Sequence, residues 1–539
     1  MKKRFLKKTV MRRVKIISSS SEVIALQSLE KIPASYLGEA PLYFKKGAMD
    51  IDPKRGLSLY GPIDSGDTIQ TIRVGIISDS KGIQNLTTCL SYLNDNPVHS
   101  VGDQPFTTLT FPGFVKAFKA RLILSDRFNE ELLNKEVFRI IGIENPNLRI
   151  RRAAEMYVKK LSSICDKVVV PDVVICHKTE EIERTCEERR IHGLTKEERK
   201  KAEEIKKKVE THRILAPLNK DTKDFIDMTI KADFRRIIKS AVAQEQNVVP
   251  VQILRQSTLE SLNCAMKIPN IPMEKHRKED PSTIAWNLSV GMYYKANHFP
   301  WRVGNLNPGS CYVGISFFID QTTYERNMFA SLAQIFTDTG EGMVVRGDSF
   351  RWDTKKKGQP HMGISSAHAL LEKALQLYRK HHNDQLPNRV TIHKSSRFTN
   401  EEVKGFLSAS KDVPRYDYVA LTGGRDVFFY RNGDNAILRS TFIPLPGNSC
   451  LVYTGGYAPY LKSYFGPRIP RPLEIAQHYG DSPLKTLAKE IIALTRLDWN
   501  TTQYSLSVPI TLKFAQRVGK ILGVVKQGQK IQQQYRFFM

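Results

Sequence analysis

The stretch "CYVGISFFID", residues 311–320, is typical of a buried β-strand, since nearly every position is apolar, β-branched or aromatic. A turn-forming Asn-Pro-Gly run at residues 307–309 predicts where the strand begins. The polar residue in the middle of the strand is Ser316, and the only acid is Asp320 at its far end. Such a strand belongs inside a sheet that is covered on both faces. The sequence on either side must then show which kind of sheet it is.

The charge balance of the chain is unusual. The 539 residues are enough for two to four domains with their own cores. Lys and Arg number 82 against 55 Asp and Glu, which gives a formal net charge of +27. A surplus of this size concentrates polyanions near the protein, so nucleic acid is the leading class of partner. An anionic membrane surface or simple solubility is the alternative explanation.

The seven cysteines contain no CxxC pair, which argues against a zinc ribbon, and their odd number argues against a disulfide framework. We expect buried thiols in a reducing compartment. No apolar run approaches the roughly 20 residues needed to cross a bilayer. Residues 1–28 are basic at their start and predict a flexible tail. The expected location is therefore the cytoplasm.

Apolar strands and helices alternate along the chain. "IRVGIISDS" (72–80) predicts a strand that leads into a helix, and "DKVVVPDVVICHK" (166–178) predicts a strand of a parallel sheet. Residues 178–213 are almost wholly charged and predict an exposed helical insertion, and residues 269–283 predict a loop. From residue 312 onward, strands followed by alternating helices and strands favour an RNase H-like α/β layout. The helices expected there cover residues 364–381, 401–409, 484–497 and 511–522.

Two further segments carry local signals. Residues 41–64 contain an Asp52-Pro53 pair and a Gly61-Pro62 pair around short apolar runs, which predicts strands and turns. Residues 537–539 are Phe-Phe-Met after a polar run, which predicts that this segment packs into the protein.

Residues 233–301 carry a set of cations at suggestive spacing. Arg235 and Lys239 are four residues apart on a predicted helix, so both point the same way. The strand "VVPVQIL" then supplies the amide of Gln252, and Lys295 ends a later helix. Charge-assisted contacts from converging cations and an amide would form a seat for a terminal phosphate. Spacing alone is equally consistent with ordinary solvated lysines and arginines.

The order and the amino-acid sequences of these segments resemble the MID domain of Argonaute proteins. The resemblance implies that Lys239, Gln252 and Lys295 hold the 5′ phosphate of a guide strand. It places Arg235 where the family carries a residue that stacks on or caps the first guide base, and Arg255 is a further candidate. In bacterial and archaeal relatives a terminal carboxylate approaches the same phosphate through a divalent cation. Here that carboxylate would belong to Met539, and the implied cofactor is a structural Mg²⁺.

The downstream half resembles the PIWI domain, the RNase H-like half of Argonaute. Active members use three carboxylates plus an Asp or His to hold two metal ions. Each corresponding slot of this sequence lacks its acid; the residues near the four slots are Ser316, His361, Lys394 and Val525. Asp320 shares the strand face of Ser316 but lies about 13 Å along the strand. The resemblance therefore implies a fold kept without its catalytic acids, hence no nuclease activity of its own.

Other basic and polar residues of the PIWI-like half are candidates for contact with a nucleic-acid backbone. Lys394 stands in an emptied acid slot, where a cation repels Mg²⁺ and attracts phosphate. "LTRLDWNTTQYSLSVPITLKFA" (494–515) matches the PIWI segment that runs along the guide, which adds Arg496 and Asn500. A structural capping role for Asn500 is the alternative.

The whole pattern resembles a short prokaryotic Argonaute, which consists of MID and PIWI domains only. The expected architecture is a basic tail (1–28), an N-terminal segment plus a Rossmann-like MID domain (29–300), and an RNase H-like PIWI domain (301–539). Such proteins load a small guide, usually RNA, and pair it with complementary invader DNA. They then activate an effector in prokaryotic defence, either one that carries an APAZ domain with a TIR, sirtuin-like or nuclease domain or another dedicated effector.

Three alternatives remain open at this point. The first is a guide-directed nuclease with a rearranged site that uses Asp320, Asp348 or Asp353. The second is a basic nucleic-acid-binding protein that needs no guide. The third is a structural subunit in which the insertion 178–213 makes the main contacts.

Overall fold

The computed structural model describes residues 32–101, 109–186, 232–245, 248–266, 279–319, 328–337 (backbone only), 342–348, 350, 360–423, 428–464, 469–525 and 528–539. The predicted basic tail, most of the predicted charged insertion, and Asp320 and Asp353 lie outside these residues. So does residue range 267–278, which makes up most of the predicted loop.

The helices are named here in chain order. They are α1 (Pro53–Tyr60), α2 (Ser80–Asp95), α3 (Phe114–Phe118), α4 (Asn134–Ile141), α5 (Pro146–Cys165), α6 (Glu180–Thr185), α7 (Phe234–Gln244), α8 (Gln256–Ala265), α9 (Pro281–Lys295), α10 (Ile364–His381), α11 (Asn400–Ala409), α12 (Leu484–Leu494) and α13 (Ile510–Leu522).

The strands follow the same convention. They are β1 (Ser35–Tyr36), β2 (Leu42–Tyr43), β3 (Met49–Asp50), β4 (Gln70–Ser78), β5 (Ala120–Leu124), β6 (Glu130–Glu131), β7 (Val173–Lys178), β8 (Val251–Arg255), β9 (Arg302–Val303), β10 (Ser310–Ile319), β11 (Met328–Thr337), β12 (Gly342–Arg346), β13 (Arg389–Lys394), β14 (Tyr416–Gly423), β15 (Thr441–Leu445), β16 (Ser449–Val452) and β17 (Leu473–Gly480).

The first half of the chain is built on a parallel sheet in the order β5-β4-β7-β8, with β6 added beside β4. Every residue of β7 is buried, which agrees with its prediction as a strand covered on both faces. Helices α2, α5, α7 and α8 follow or precede these strands, so the layout is doubly wound. The carboxyl ends of β7 and β8 meet at one edge of this sheet, where ligands bind in such folds.

The second half is built on a nine-stranded mixed sheet in the order β1-β15-β16-β17-β14-β13-β10-β11-β12. The quoted strand, β10, lies inside it, antiparallel to β11 and parallel to β13. Helix α13 packs on β10 and β11, and α10 packs on β11. A central β10 with a parallel neighbour on one side and a hairpin partner on the other gives the expected RNase H-like arrangement.

The N-terminal segment adds strands to structures formed by distant residues. Strand β1 pairs with β15 at the edge of the nine-stranded sheet. Strand β2 pairs with β3 and with β9, which forms a separate three-stranded sheet. The two large sheets share a continuous hydrophobic core that includes residues such as Trp286 and Phe514.

One local prediction was wrong. The Asp52-Pro53 pair begins α1 instead of a turn: the Asp52 carboxylate accepts hydrogen bonds from the backbone N–H groups of Lys54 and Arg55. Proline at the first helical position lacks an N–H that would be unpaired anyway, so the pair is a good helix start. The same device, Asp280 followed by Pro281, begins α9 within the range predicted as a loop.

Candidate nucleic-acid interface

The edge of the parallel sheet at the ends of β7 and β8 positions the first part of the site. Lys178 and Arg255 are register partners at the ends of these two strands. Asp233 caps α7, and Arg235 and Lys239 lie four residues apart on that helix, as predicted. Lys239 is 1% exposed, and its Nζ donates a hydrogen bond to the carbonyl of Val251 over 2.6 Å.

Helix α9 supplies a second buried lysine. Lys295 is the last residue of the helix and is 1% exposed. Its Nζ donates a hydrogen bond to Oε1 of Gln252 over 2.6 Å, so the predicted lysine and the predicted amide are in direct contact. The amide nitrogen of Gln252 donates to the carbonyl of Ile253. These bonds fix the orientation of the Gln252 side chain.

The last described residues complete the site. Tyr535 stacks on Phe514 of α13 with ring centroids 3.4 Å apart, and both rings are buried. Nη2 of Arg235 donates a hydrogen bond to the carbonyl of Phe538 over 3.4 Å, and Met539 is 4% exposed. The prediction that residues 537–539 pack into the protein is therefore confirmed.

These elements enclose a cavity of about 570 Å³, which we name the cation pocket. It is lined by Lys178, Cys186, Phe234, Arg235, Lys239, Gln252, Ile253, Arg255, Lys295, Asn500 and Met539. Five of the lining side chains are cationic, and none is an Asp or Glu. The six residues that the sequence indicated for the phosphate and metal site lie together here: Arg235, Lys239, Gln252, Arg255, Lys295 and Met539. Asn500, predicted as a backbone contact of the other half, joins them.

The electrostatics of the pocket favour an anion. Burial lowers the pKa of Lys239 well below its ordinary value, and the charges of Lys295 and Arg235 lower it further. Burial and Arg235 together lower the pKa of Lys295 to about 7. Burial also lowers the pKa of Arg235. Cations held this close without a carboxylate side chain are destabilised, and a bound anion would relieve that cost.

Sequence reasoning missed the contact between Lys178 and Phe234 in the pocket. The Lys178 ammonium lies 4.7 Å from the centre of the Phe234 ring, in a cation–π contact. Parallel strands bring their carboxyl ends to one edge of the sheet. The sequence could therefore have indicated Lys178 as a pocket residue, because it ends an apolar strand next to the strand of Gln252. Its position at the start of the charged stretch concealed it.

A second cavity, of about 410 Å³, lies at the end of β10 and is lined by Ser316, Phe317, Phe318, Ile319, Pro360, Gln516, Gly519, Lys520 and Gly523. Ser316, the residue that the resemblance assigns to the first acid slot, is one of the lining residues. None of these lining residues carries a carboxylate. Across the described residues, no group of three or more His, Cys, Asp or Glu side chains is placed to hold a metal ion.

The other three predicted slots do not open into this cavity. Lys394 is 1% exposed, and its Nζ lies 2.6 Å from both carboxylate oxygens of Glu402. His361 lies 3.4 Å from the same carboxylate, and Val525 is fully buried. The expectation that Lys394 contacts a nucleic-acid backbone is therefore corrected, because its charge is buried against Glu402. Burial lowers the pKa of Lys394, and Glu402 opposes that effect.

The expectation for Arg496 is corrected in the same way. Arg496 is 3% exposed, and it donates hydrogen bonds to the Glu39 carboxylate and to the carbonyl of Ile51. Its guanidinium also lies 4.1 Å from the centre of the Tyr504 ring. Its role is to tie the N-terminal segment to the PIWI-like half. Asn500, from the same stretch, is the residue that reaches the cation pocket.

Comparison with known proteins agrees with this geometry. No family model matches the chain. The Argonaute protein of Thermus thermophilus is 29% identical over 157 residues, which is 29% of this chain and 21% of that protein.

Solved structures with a similar fold include Clostridium butyricum Argonaute bound to a guide DNA and a 19-mer target DNA. The TM-score is 0.57 at 14% identity, over 93% of this chain and 54% of that chain. Drosophila Piwi gives 0.54 at 13% identity over 94% and 56%, and A. aeolicus Argonaute gives 0.50 at 14% over 94% and 55%. The chain thus spans about half the length of these proteins.

The parallel sheet followed by the nine-stranded mixed sheet matches the Argonaute fold with its RNase H-like domain. Over those 157 residues the chain is similar in sequence to an Argonaute protein, and over most of its length it has the fold of the solved Argonaute structures. Among the described helices, none combines the length and the apolar character that spanning a bilayer requires.

Proposed function

We propose that this protein binds the 5′-phosphorylated end of a short guide strand, RNA or DNA, in the cation pocket and presents the guide for pairing. The observation that carries the proposal is the convergence of five cationic side chains, without any Asp or Glu side chain, in one 570 Å³ cavity. Clostridium butyricum Argonaute, which has a similar fold, is bound to guide DNA and target DNA.

The pocket residues have distinct roles in this proposal. A terminal phosphate carries about two negative charges and three acceptor oxygens near pH 7. Lys239 and Lys295 would donate charge-assisted hydrogen bonds to it, while Gln252 holds Lys295 in place. Arg235 and Arg255 belong to the same lining and would neutralise the negative charge of the phosphate and of the first nucleotide. The binding energy comes from replacing repulsion among cations by attraction to the phosphate.

The donor set of the pocket fits Mg²⁺ only together with the guide phosphate. The lining side chains supply no carboxylate, and the carboxyl group of Met539 is the candidate anionic ligand. Mg²⁺ commonly takes one or two carboxylates, substrate phosphate oxygens and waters, so Met539 and the phosphate could share it. The ion would neutralise the repulsion between these two anions. The lysines alone would repel it, so we expect Mg²⁺ to enter with the guide.

We also propose that the PIWI-like half holds the guide–target duplex without cutting it. In support, Ser316 occupies the first acid slot, and the lining of the cavity beside it contains Lys520 and no carboxylate. Glu402, the acid near another slot, is buried and paired with Lys394. Two-metal hydrolysis needs several carboxylates around one phosphate. The competing hypothesis, a nuclease that uses Asp320, Asp348 or Asp353, would be shown by cleavage at a defined position.

The downstream role in the proposal is prokaryotic defence through a partner. Recognition of complementary invader DNA would activate an APAZ-containing effector with a TIR, sirtuin-like or nuclease domain. This step rests on the resemblance to short prokaryotic Argonautes. Co-purification of the chain with the product of an adjacent gene, followed by an assay of NAD or DNA breakdown with guide and target, tests it.

The experiment for the pocket compares 5′-phosphorylated and 5′-hydroxyl oligonucleotides, in RNA and DNA versions of one sequence. Lys239→Ala plus Lys295→Ala should abolish most of the preference for the phosphorylated form. The matched control, Lys404→Ala plus Lys411→Ala, removes two exposed lysines outside the pocket and should retain it. Equal weakening of all four oligonucleotides by the pocket variant contradicts the proposal. Incubation of guide and target with Mg²⁺ or Mn²⁺ tests the absence of cleavage.

A further inference from the structure

One cavity of the described residues is larger than the cation pocket. A groove of about 960 Å³ lies between strand β12, the second half of α10, the end of α7 and residues 529–534. We name it the junction groove, because it is bordered by elements of both halves of the chain. Neither the predicted site residues nor the proposed 5′-phosphate seat includes any of its lining.

The floor of the groove is held by backbone hydrogen bonds. The N–H of Val344 in β12 donates to the carbonyl of Gln533 over 2.6 Å, so residues near 533 extend the edge of the nine-stranded sheet. The N–H of Gln532 donates to the carbonyl of Ala243 at the end of α7 over 2.7 Å. These contacts define a fixed surface, which can therefore recognise a ligand without first being ordered.

The groove and the cation pocket are separate but adjacent. Residues 529–534 line the groove, and the same segment continues through buried Tyr535 and Phe538 to Met539 in the pocket. Helix α7 likewise carries Arg235 and Lys239 toward the pocket and ends at the groove with Gln244. A ligand can therefore occupy one site without entering the other.

The chemistry of the groove is cationic and rich in amides. Lys380 and Lys530 line it and are exposed. Arg346, Lys373 and His381 add donors, although Lys373 is already paired with Asp348 at 2.7 Å. Six glutamines line it as well: Gln244, Gln376, Gln529, Gln532, Gln533 and Gln534. Glu245 is the one carboxylate in the lining, so positive charge prevails.

From this combination we propose that the junction groove binds a single-stranded segment of nucleic acid through its phosphate backbone. Lysines in an open groove neutralise phosphates, and amides can pair with sugar or base edges. An acidic protein partner is the competing occupant. The groove lining contains no Trp, Tyr or Phe, so it offers neither the aromatic anchors that are enriched at stable protein interfaces nor a platform for stacking bases, and contact would run through phosphates. The groove thus suits a flexible polyanion better. This proposal goes beyond the 5′-phosphate seat and does not require it.

The test uses a 5′-hydroxyl oligothymidylate, and the same length of oligouridylate, with affinity measured against salt concentration. Lys380→Glu plus Lys530→Glu should weaken binding at least tenfold at low salt. It should also reduce the slope of log affinity against log salt by about 1.4, since each phosphate contact with a single strand contributes about 0.7. The control, Lys404→Glu plus Lys411→Glu, changes the net charge equally on exposed residues away from the groove. Its slope should stay close to that of the unmodified chain.

The possible results separate the two proposals. If the groove and control variants behave alike, the groove proposal is overturned. If poly-glutamate binding, but not oligonucleotide binding, depends on the groove lysines, the groove is a protein site and the proposal is again overturned. The ratio of affinities for 5′-phosphoryl and 5′-hydroxyl strands should be unchanged in the groove variant. If only the Lys239 and Lys295 variants lose this ratio, the result supports the cation pocket as the 5′-phosphate site and leaves the groove as a separate site. Lys380→Ala plus Lys530→Ala provides a milder pair if the charge reversals unfold the chain.

Discussion

Replacing Lys295 by methionine should make the free protein more stable while it removes the preference for a 5′ phosphate. Lys295 is 1% exposed, and burial and Arg235 lower its pKa from 10.5 to about 7. A lowering of this size corresponds to roughly 4 kcal/mol at neutral pH, by which folding disfavours the protonated ammonium. Methionine has a similar length and carries no charge, so it avoids that cost.

Part of this gain in stability is offset by the loss of a hydrogen bond to Gln252. Lys295→Met leaves Oε1 of Gln252 without its 2.6 Å donor, which costs about 1–2 kcal/mol. We therefore expect a net stabilisation of about 2 kcal/mol in denaturant unfolding at pH 6–7. The folded-state pKa lies below the unfolded one, so the unfolded chain binds more protons between pH 7 and 10.5. The stability of the unmodified chain therefore rises over that window, and the advantage of the variant shrinks.

The same substitution should weaken binding of a 5′-phosphorylated oligonucleotide by about 2–3 kcal/mol, which is roughly 30- to 150-fold. Fluorescence anisotropy with 5′-phosphoryl and 5′-hydroxyl strands measures this, and Lys404→Met on α11 is the exposed control. A variant that is less stable than the unmodified chain at pH 6–7 would show that Lys295 is not held under repulsion. A variant that keeps the phosphate preference would refute the assignment of the pocket.

Three further outcomes follow from the same structure. Affinity for 5′-phosphorylated strands should fall as the pH rises above about 7, because Lys295 loses its proton in the free protein. In the same anisotropy assay, 5′-hydroxyl strands should show a flatter pH profile. Lys394→Met should destabilise the fold by about 3–5 kcal/mol in urea unfolding, because it leaves the Glu402 carboxylate buried without its lysine counter-ion. Adding Glu402→Gln should recover part of that loss, and equal stability of the single variant and the unmodified chain would contradict the buried pair. Tyr535→Ala should lower the free energy of unfolding by about 3–5 kcal/mol through loss of its stack on Phe514. It should also lower the affinity for a 5′ phosphate, because the same segment places residue 539 in the pocket. A loss of stability without a loss of affinity would show that the segment does not contribute to the site.

The pocket was predictable from sequence to an unusual extent, because its residues lie at the ends of regular elements. The i, i+4 spacing of Arg235 and Lys239 survives as a helix face, and Lys295 ends its helix as expected. The apolar pattern that predicted β10 and β13 depends on burial on both sheet faces, which the sequence records directly. Such features are local, so they need no knowledge of the tertiary structure.

The predictions that failed concern charged residues whose partners are distant in sequence or are not evident from the local pattern. Lys394 and Arg496 were predicted to contact a nucleic-acid backbone, but Glu402 and Glu39 neutralise them inside the protein. Nothing in the local pattern of Arg496 indicates a partner 457 residues away. Lys178 was missed for the opposite reason: it is one residue of a long charged run, and only the strand pairing separates it from that run.

The double arginine contact of Glu39 has a consequence for how the chain acquires its structure. This carboxylate sits between Arg439 and Arg496, which follow it by 400 and 457 residues. At synthesis rates of about 5–20 residues per second, the later arginine leaves the ribosome roughly 25–90 seconds after Glu39. Strand β1, whose partner β15 begins at Thr441, therefore remains without that partner for a similar time. A chaperone that shields nascent chains should raise the yield of this protein more than that of one whose first strand pairs locally.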